Sequence, residues 1–250
     1  MILRSILMLV MLALLPQAAG AFTLFSERQM ANMGAQSYEE IRQNTPISRN
    51  RALNNRVACV AGPLTDLVGG RKNWEVTVFD VDEVNAFALP GGKIGVYRGL
   101  FRVATTPAEL AAVIGHEIGH VQARHANERV SNQTVANVGL RLVEQFTSGR
   151  QNSQYIMAGL GLGTQYGVLL PFDRKQETEA DKIGLKLMAR AGFDPRAAVQ
   201  LWRNMQKATG KGPPAFLSTH PSNKQRIQDL ERRVPGVMPY YRAASQSRCS

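Results

Sequence analysis

The sequence predicts an α+β fold: a mainly helical domain with a small β-sheet beside a helix that carries His116-Glu-Ile-Gly-His120. Three observations predict it. Apolar residues recur at helical spacing through most of the chain. Strand-like alternation is confined to one stretch, between residues 74 and 97. The His-Glu-x-x-His pentapeptide has a complete helix start directly ahead of it.

The chain has 250 residues and a formal net charge of +11. Residues 1–21 hold a single charged residue, Arg4, then an apolar stretch Ile6–Leu15, then Ala19-Gly20-Ala21 before Phe22. That pattern reads as a secretory signal with a small-residue cleavage site, and the apolar run is too short to span a bilayer. The expected organisation is a leader over 1–21, one domain over 22–237 and a loosely ordered tail over 238–250. Loss of Arg4 with the leader leaves +10, one less than the +11 of the whole chain. The expected compartment is the periplasm, where such a charge either attracts the anionic surfaces of phospholipid and lipopolysaccharide or belongs to a soluble surface that happens to be basic. There is no basic stripe interleaved with aromatics, so nucleic acid is not an expected partner. The two cysteines, Cys59 and Cys249, either pair in an oxidising compartment or remain thiols.

Helices are expected over Ser26–Asn44 and Arg49–Val68, the second with Leu53, Val57, Val60, Leu64 and Leu67 on one side and a kink or division at Gly62-Pro63. Trp74–Asp80 alternates as a strand, followed by strands at Ala86–Leu89 and Lys93–Tyr97 with a turn at Pro90-Gly91-Gly92. An exposed edge of this sheet would let an extended peptide add as a further strand. Asn85, Ala86, Phe87 and Ala88 are the candidate substrate-binding residues, with a core position for Phe87 as the alternative.

Thr106-Pro107-Ala108-Glu109 starts the next helix: Thr106 caps, Pro107 takes the first helical position and Glu109 completes a capping box. Leu110, Val113, Ile114, Ile118 and Val121 follow at helical spacing. Gln151–Phe172 carries no charge and is rich in glycine. It reads as a flexible helical arm or lid near the site, with membrane insertion as the alternative. Asp173 with Gln176 starts a further helix, and helices resume over Pro195–Ala208 and Ser222–Val234.

The chemistry concentrates at the pentapeptide. Two histidines four apart on a helix lie about 40° apart around its axis, so both rings reach one ion. Zinc takes nitrogen and oxygen ligands, and a catalytic site keeps a position for water. Glu117, between the histidines, is placed to act as general base on that water. A third ligand is needed, and neither cysteine sits in a metal-binding cluster. Glu177 is the candidate, with Asp181 four residues on, on the same face, accepting the free ring N–H of a ligand histidine. Glu179 lies about 200° round the helix from Glu177 and should not reach the same ion. The alternative for this helix is a solvated acidic face.

The wider string is more specific. It comprises Asn85-Ala-Phe-Ala88, Pro90-Gly-Gly92, Val96-Tyr-Arg-Gly-Leu100, Gly115-His-Glu-Ile-Gly-His-Val121, Arg124-His125, Glu177-Thr-Glu-Ala-Asp181 and His220-Pro221. Together these resemble the gluzincin metallopeptidases of the CAAX prenyl protease family, in particular its compact periplasmic BepA/LoiP-like branch without a tetratricopeptide domain. The resemblance runs over residues 26–234.

It implies one zinc ion per chain, held by His116, His120 and Glu177, with Glu117 as base and Asp181 behind a histidine. It implies that His220 either closes on the zinc and holds the enzyme latent or stabilises the oxyanion; a plain loop histidine is the third reading. Arg226 either pairs with a site carboxylate or lies exposed. His125 is read as structural, pointing away from the metal. The implied substrates are unfolded or misassembled proteins in envelope quality control, with outer-membrane assembly machinery as a partner. The rival is a latent protease acting mainly as a chaperone-like binding factor.

Overall fold

Ser26 starts the first helix, α1 (Glu27–Asn44), by a reciprocal capping box with Gln29. The computed structural model describes residues 23–69, 73–144, 171–208, 214–221, 224–247 and 249. The expected leader and nearly all of the uncharged 151–172 arm lie outside them. Asn50 caps α2 (Arg51–Asp66), which runs undivided through Pro63, contrary to a division at that point. Val57, Val60 and Leu64 of α2 are buried in the main core.

Three strands follow: β1 (Glu75–Phe79), β2 (Ala86–Leu89) and β3 (Lys93–Tyr97). Their order is β1-β3-β2, with β1 parallel and β2 antiparallel to β3. The hairpin between β2 and β3 turns on Gly91 and Gly92, both at positive φ (82° and 76°), a region open to glycine. One face of the sheet packs on α1 through an aromatic cluster of Tyr38, Phe79, Phe87 and Tyr97. Phe87 stacks on Phe79 at 6.2 Å and meets Tyr97 edge-on. Its ring is therefore core, not groove.

The Tyr38 hydroxyl donates to Thr77 Oγ1 at 2.7 Å, and burial pushes its pKa up to about 12. The sign follows from linkage. Below the unfolded-state value near 10 the stabilisation is fully present, and it is lost as pH rises toward 12. Tyr38→Phe is expected to cost about 1 kcal/mol at pH 8, and the gap from the parent should shrink by pH 11. Urea unfolding at both pH values checks this.

A 3₁₀ turn (Arg98–Arg102) leads into α3 (Pro107–Gln122), then α4 (His125–Glu144), α5 (Arg174–Arg190), α6 (Arg196–Lys207), a short α7 (Ala215–Thr219) and α8 (Lys224–Ala243). The main core lies between α2, α3, α5, α6, α8 and the other face of the sheet, around Leu64, Ile94, Leu110, Ile114, Met188 and Phe216. No helix among the described residues is long and apolar enough to cross a membrane.

The expected loose tail is a correction. The helix expected to end at Val234 continues, as α8, through Pro235 and Pro239 to Ala243. Tertiary contacts offset the backbone cost of the prolines. Val237 and Met238 pack on the core, and Lys186 lies over the Tyr240 ring at 5.3 Å. Beyond the helix, the Ser247 N–H donates to Gly192 O, and Cys249 is disulfide-bonded to Cys59 on α2. The bridge closes 190 residues of chain separation.

Candidate metal centre

α3 is built to be rigid and interior. Thr106 and Glu109 form the reciprocal box, Pro107 opens the first turn, and every residue from Glu109 to His120 is buried. A helix buried on every side, here with its polar residues paired, belongs inside a domain. α5 starts with the same device, Asp173 accepting from the Gln176 N–H at 2.8 Å. The two helices approach closely because their contact is lined by glycine. A Cβ on Gly119 would lie 2.7 Å from Ala180 O, and one on Gly184 would lie 2.8 Å from the His116 backbone nitrogen. This backbone contact carries Glu177 onto the histidine pair.

His116, His120, Glu177 and His220 form one buried cluster of potential metal donors. His116 Nε2 lies 3.0 Å from His120 Nε2 and 3.2 Å from His220 Nδ1. Glu177 Oε1 lies 3.3 Å from His120 Nε2 and 3.0 Å from His220 Nδ1. A tetrahedral zinc with bonds of about 2.0–2.1 Å has donor–donor edges of about 3.3–3.4 Å. Three imidazole nitrogens and a carboxylate oxygen at these separations fit one zinc ion in donor type and in spacing.

Asp181 lies behind the first histidine, its Oδ1 2.9 Å from His116 Nδ1. Arg226, from α8, is buried against both carboxylates. Its guanidinium donates to Asp181 Oδ1 and Oδ2 at 2.8 Å each and to Glu177 Oε2, and it lies over the Trp202 ring at 3.6 Å. The sequence left Arg226 open between this place and the surface. His220 is delivered by α7, its ring stacked on Phe216 at 4.3 Å, with Phe172 on another side at 5.0 Å.

Phe172 also stacks on His120 at 3.8 Å, and Arg129 lies over its outer face at 3.9 Å. The sequence places the 151–172 arm near the site but does not single out Phe172, the end of that arm, as a residue against the donor rings. Glu179 is half exposed and stands apart from the four donors.

Glu117 faces the cluster from the sheet side. Its Oε2 accepts from the Ala88 N–H at 3.1 Å, and its Oε1 lies 3.3 Å from His220 Nε2. That Oε1 is buried and makes no hydrogen bond among the described residues, so it is the carboxylate atom that the sheet does not engage. β2 is the outer strand of the sheet, but all four of its residues are buried, which corrects the expectation of an exposed edge. α3 packs along it, and its outward N–H groups are covered: Ala86 by Asn85 Oδ1 and Ala88 by Glu117.

The electrostatics follow from burial and neighbours. Burial opposes the Glu177 charge, but Arg226, His220 and His116 outweigh it and hold the carboxyl well below its usual range. Asp181 is lowered in the same way, burial being overcome by Arg226 and His116. Burial also disfavours the His116 cation, but Glu177 and Asp181 prevail and push it up to about 9 in the metal-free protein. The site therefore attracts positive charge, a proton or a metal ion. Glu117 goes the other way, raised chiefly by burial.

Comparison with known proteins places this arrangement. The model of peptidase family M48 matches residues 48–234, which includes the sheet and all four donors. The chain belongs to peptidase family M48. Among its relatives, it is 39% identical over 183 residues to the mitochondrial metalloendopeptidase OMA1 of Schizosaccharomyces pombe, covering 72% of this chain and 50% of that protein. It is 31% identical over 237 residues to the beta-barrel assembly-enhancing protease of Yersinia pestis, covering 92% of this chain and 48% of that one. The chain thus spans about half the length of these two relatives. Family M48 peptidases use zinc, and the buried donors here suit one zinc ion.

Proposed function

We propose that the chain is a zinc metalloendopeptidase that cuts extended segments of unfolded or misassembled proteins. The observation that carries this is Glu117, whose one carboxylate touches both β2 and the edge of the donor cluster. In this reading His116, His120 and Glu177 hold the zinc, and Asp181 fixes His116 from behind. When bound, zinc supplies a Lewis acid that polarises the peptide carbonyl and acidifies water. Glu117 Oε1 takes the proton from the attacking water and returns it to the departing amide nitrogen. A substrate main chain would replace the two side-chain caps on β2, adding as a strand along Asn85–Ala88. Such binding demands an unfolded segment and tolerates many sequences.

The physiological setting is envelope protein quality control, with substrates among outer-membrane proteins. A secretory-type leader at residues 1–21 and similarity to beta-barrel assembly-enhancing proteases favour the periplasm. Similarity to mitochondrial proteases of the OMA1 type is equally close and supports the chemistry rather than that location. The net charge of +11 favours work near an anionic lipid surface.

One observation favours a second reading. His220 Nδ1 stands among the donors, 3.0 Å from Glu177 and 3.2 Å from His116, where it would fill the fourth corner needed by water. That is a latent arrangement, in which the protein would act mainly as a chaperone-like binder. Purified residues 22–250, loaded with zinc and given an unstructured protein, distinguish the readings. Zinc-dependent cleavage supports the peptidase. Zinc bound without cleavage, with cleavage gained in His220→Ala, supports latency. Absence of both zinc and cleavage sinks the reading.

A further inference from the structure

A histidine that binds metal through Nε2 must leave that nitrogen's lone pair free. The ring proton then sits on Nδ1 and needs an acceptor. His116 finds one in Asp181, 2.9 Å from its Nδ1. His120 has no carboxylate there. Its Nδ1 lies 2.9 Å from Nδ1 of His125, a ring only 2% exposed. On its far side, His125 Nε2 lies 3.5 Å from Glu179 Oε2, at the half-exposed end of the row.

The backbone is shaped to make this contact. On a continuous helix, a residue five positions after His120 would lie about 140° round the axis from it. Instead α3 ends at Gln122, and Arg124 takes φ 60°, the one positive φ on a non-glycine residue among those described. That conformation disfavours a residue with a Cβ. The break swings His125 back beneath His120 before α4 begins.

We infer that His125 and Glu179 are positioning residues for the metal centre. His125 Nδ1 accepts the Nδ1–H of His120 and holds that ring in the tautomer whose Nε2 faces the ion. Glu179 accepts the remaining N–H of His125 and sets its orientation. The inference rests on the zinc reading above and adds an outer support for the second histidine, one residue longer than the Asp181 support of the first.

Two polar replacements separate this role from simple packing. Asn at 125 places an acceptor oxygen where Nδ1 stood, whereas Gln places its amide near the Nε2 position. Zinc dissociation constants of the purified proteins are read by competition with a chromophoric chelator, together with the visible spectrum of the cobalt(II)-substituted site. His125→Asn is expected to stay within about threefold of the parent, while His125→Gln loses about 10–100-fold in affinity and shifts the cobalt bands. Glu179→Gln should weaken zinc by a smaller factor. Equal affinities and spectra for the parent and both position-125 variants overturn the inference, as does equal loss in both. A parent that binds no zinc overturns the zinc reading itself, and the inference with it.

Discussion

Glu117→Gln is expected to keep its zinc and lose about 10²–10⁴-fold in kcat, the contribution typical of a positioned general base. The substitution is nearly isosteric in a fully packed place, so its effect should be chemical. The amide oxygen can still accept from the Ala88 N–H, which Glu117 Oε2 now does at 3.1 Å. The lost function is at Oε1, buried beside the donors with no hydrogen-bond partner among the described residues. A carboxylate there can take a proton, and an amide cannot. Metal content should hold because Glu117 is outside the donor set. kcat and zinc content measured on one preparation check both halves. Full activity in the variant would remove Glu117 as the base, and loss of zinc would show that it supports the metal instead.

The helix starts at Thr106 and Asp173 were legible because capping is local chemistry: a side chain, its own backbone and three residues of spacing. The strands at Ala86–Leu89 and Lys93–Tyr97 were legible for the same reason, being bounded by a glycine turn. The His116–His120 pair was legible from helical period alone. What could not be read is what arises between elements. The sequence predicts an exposed edge strand; β2 is the edge, but the sequence does not say that its residues are buried and that Asn85 and Glu117 cap its outward N–H groups. It offers Phe87 as groove or core, and only the ring packing of Tyr38, Phe79 and Tyr97 decides. It ends the last helix at Val234 and leaves the tail loose because it cannot weigh the contacts of Met238 and Tyr240 or the anchor at Cys249. His125 points away from the metal on an ideal helix, and its position under His120 depends on a single residue, Arg124, leaving the helical region.

Arg226 is where the stability of the centre and its metal binding meet. Glu177 and Asp181 are both buried, and the same guanidinium donates to each. Removing one partner of a buried ionic group costs about 3–5 kcal/mol, because the remaining charge is left uncompensated. Arg226→Met keeps much of the packing on Trp202 and removes the charge, so a loss of that order is expected in the metal-free protein. Zinc would bring positive charge to Glu177, so the gap between variant and parent should narrow when zinc is bound.

The pH dependence has a definite sign. Arg226 helps hold both carboxyls below their ordinary range, so its contribution is present above the unfolded carboxylate pKa and is lost as pH falls through the depressed folded values. The parent's advantage should therefore shrink on acidification. Urea unfolding of both proteins with chelator, with zinc, and across an acid series measures all three effects. A metal-free difference below about 1 kcal/mol would give Arg226 no more weight than a surface ion pair. A gap that zinc leaves unchanged would mean that the guanidinium and the ion do not share the charge of Glu177.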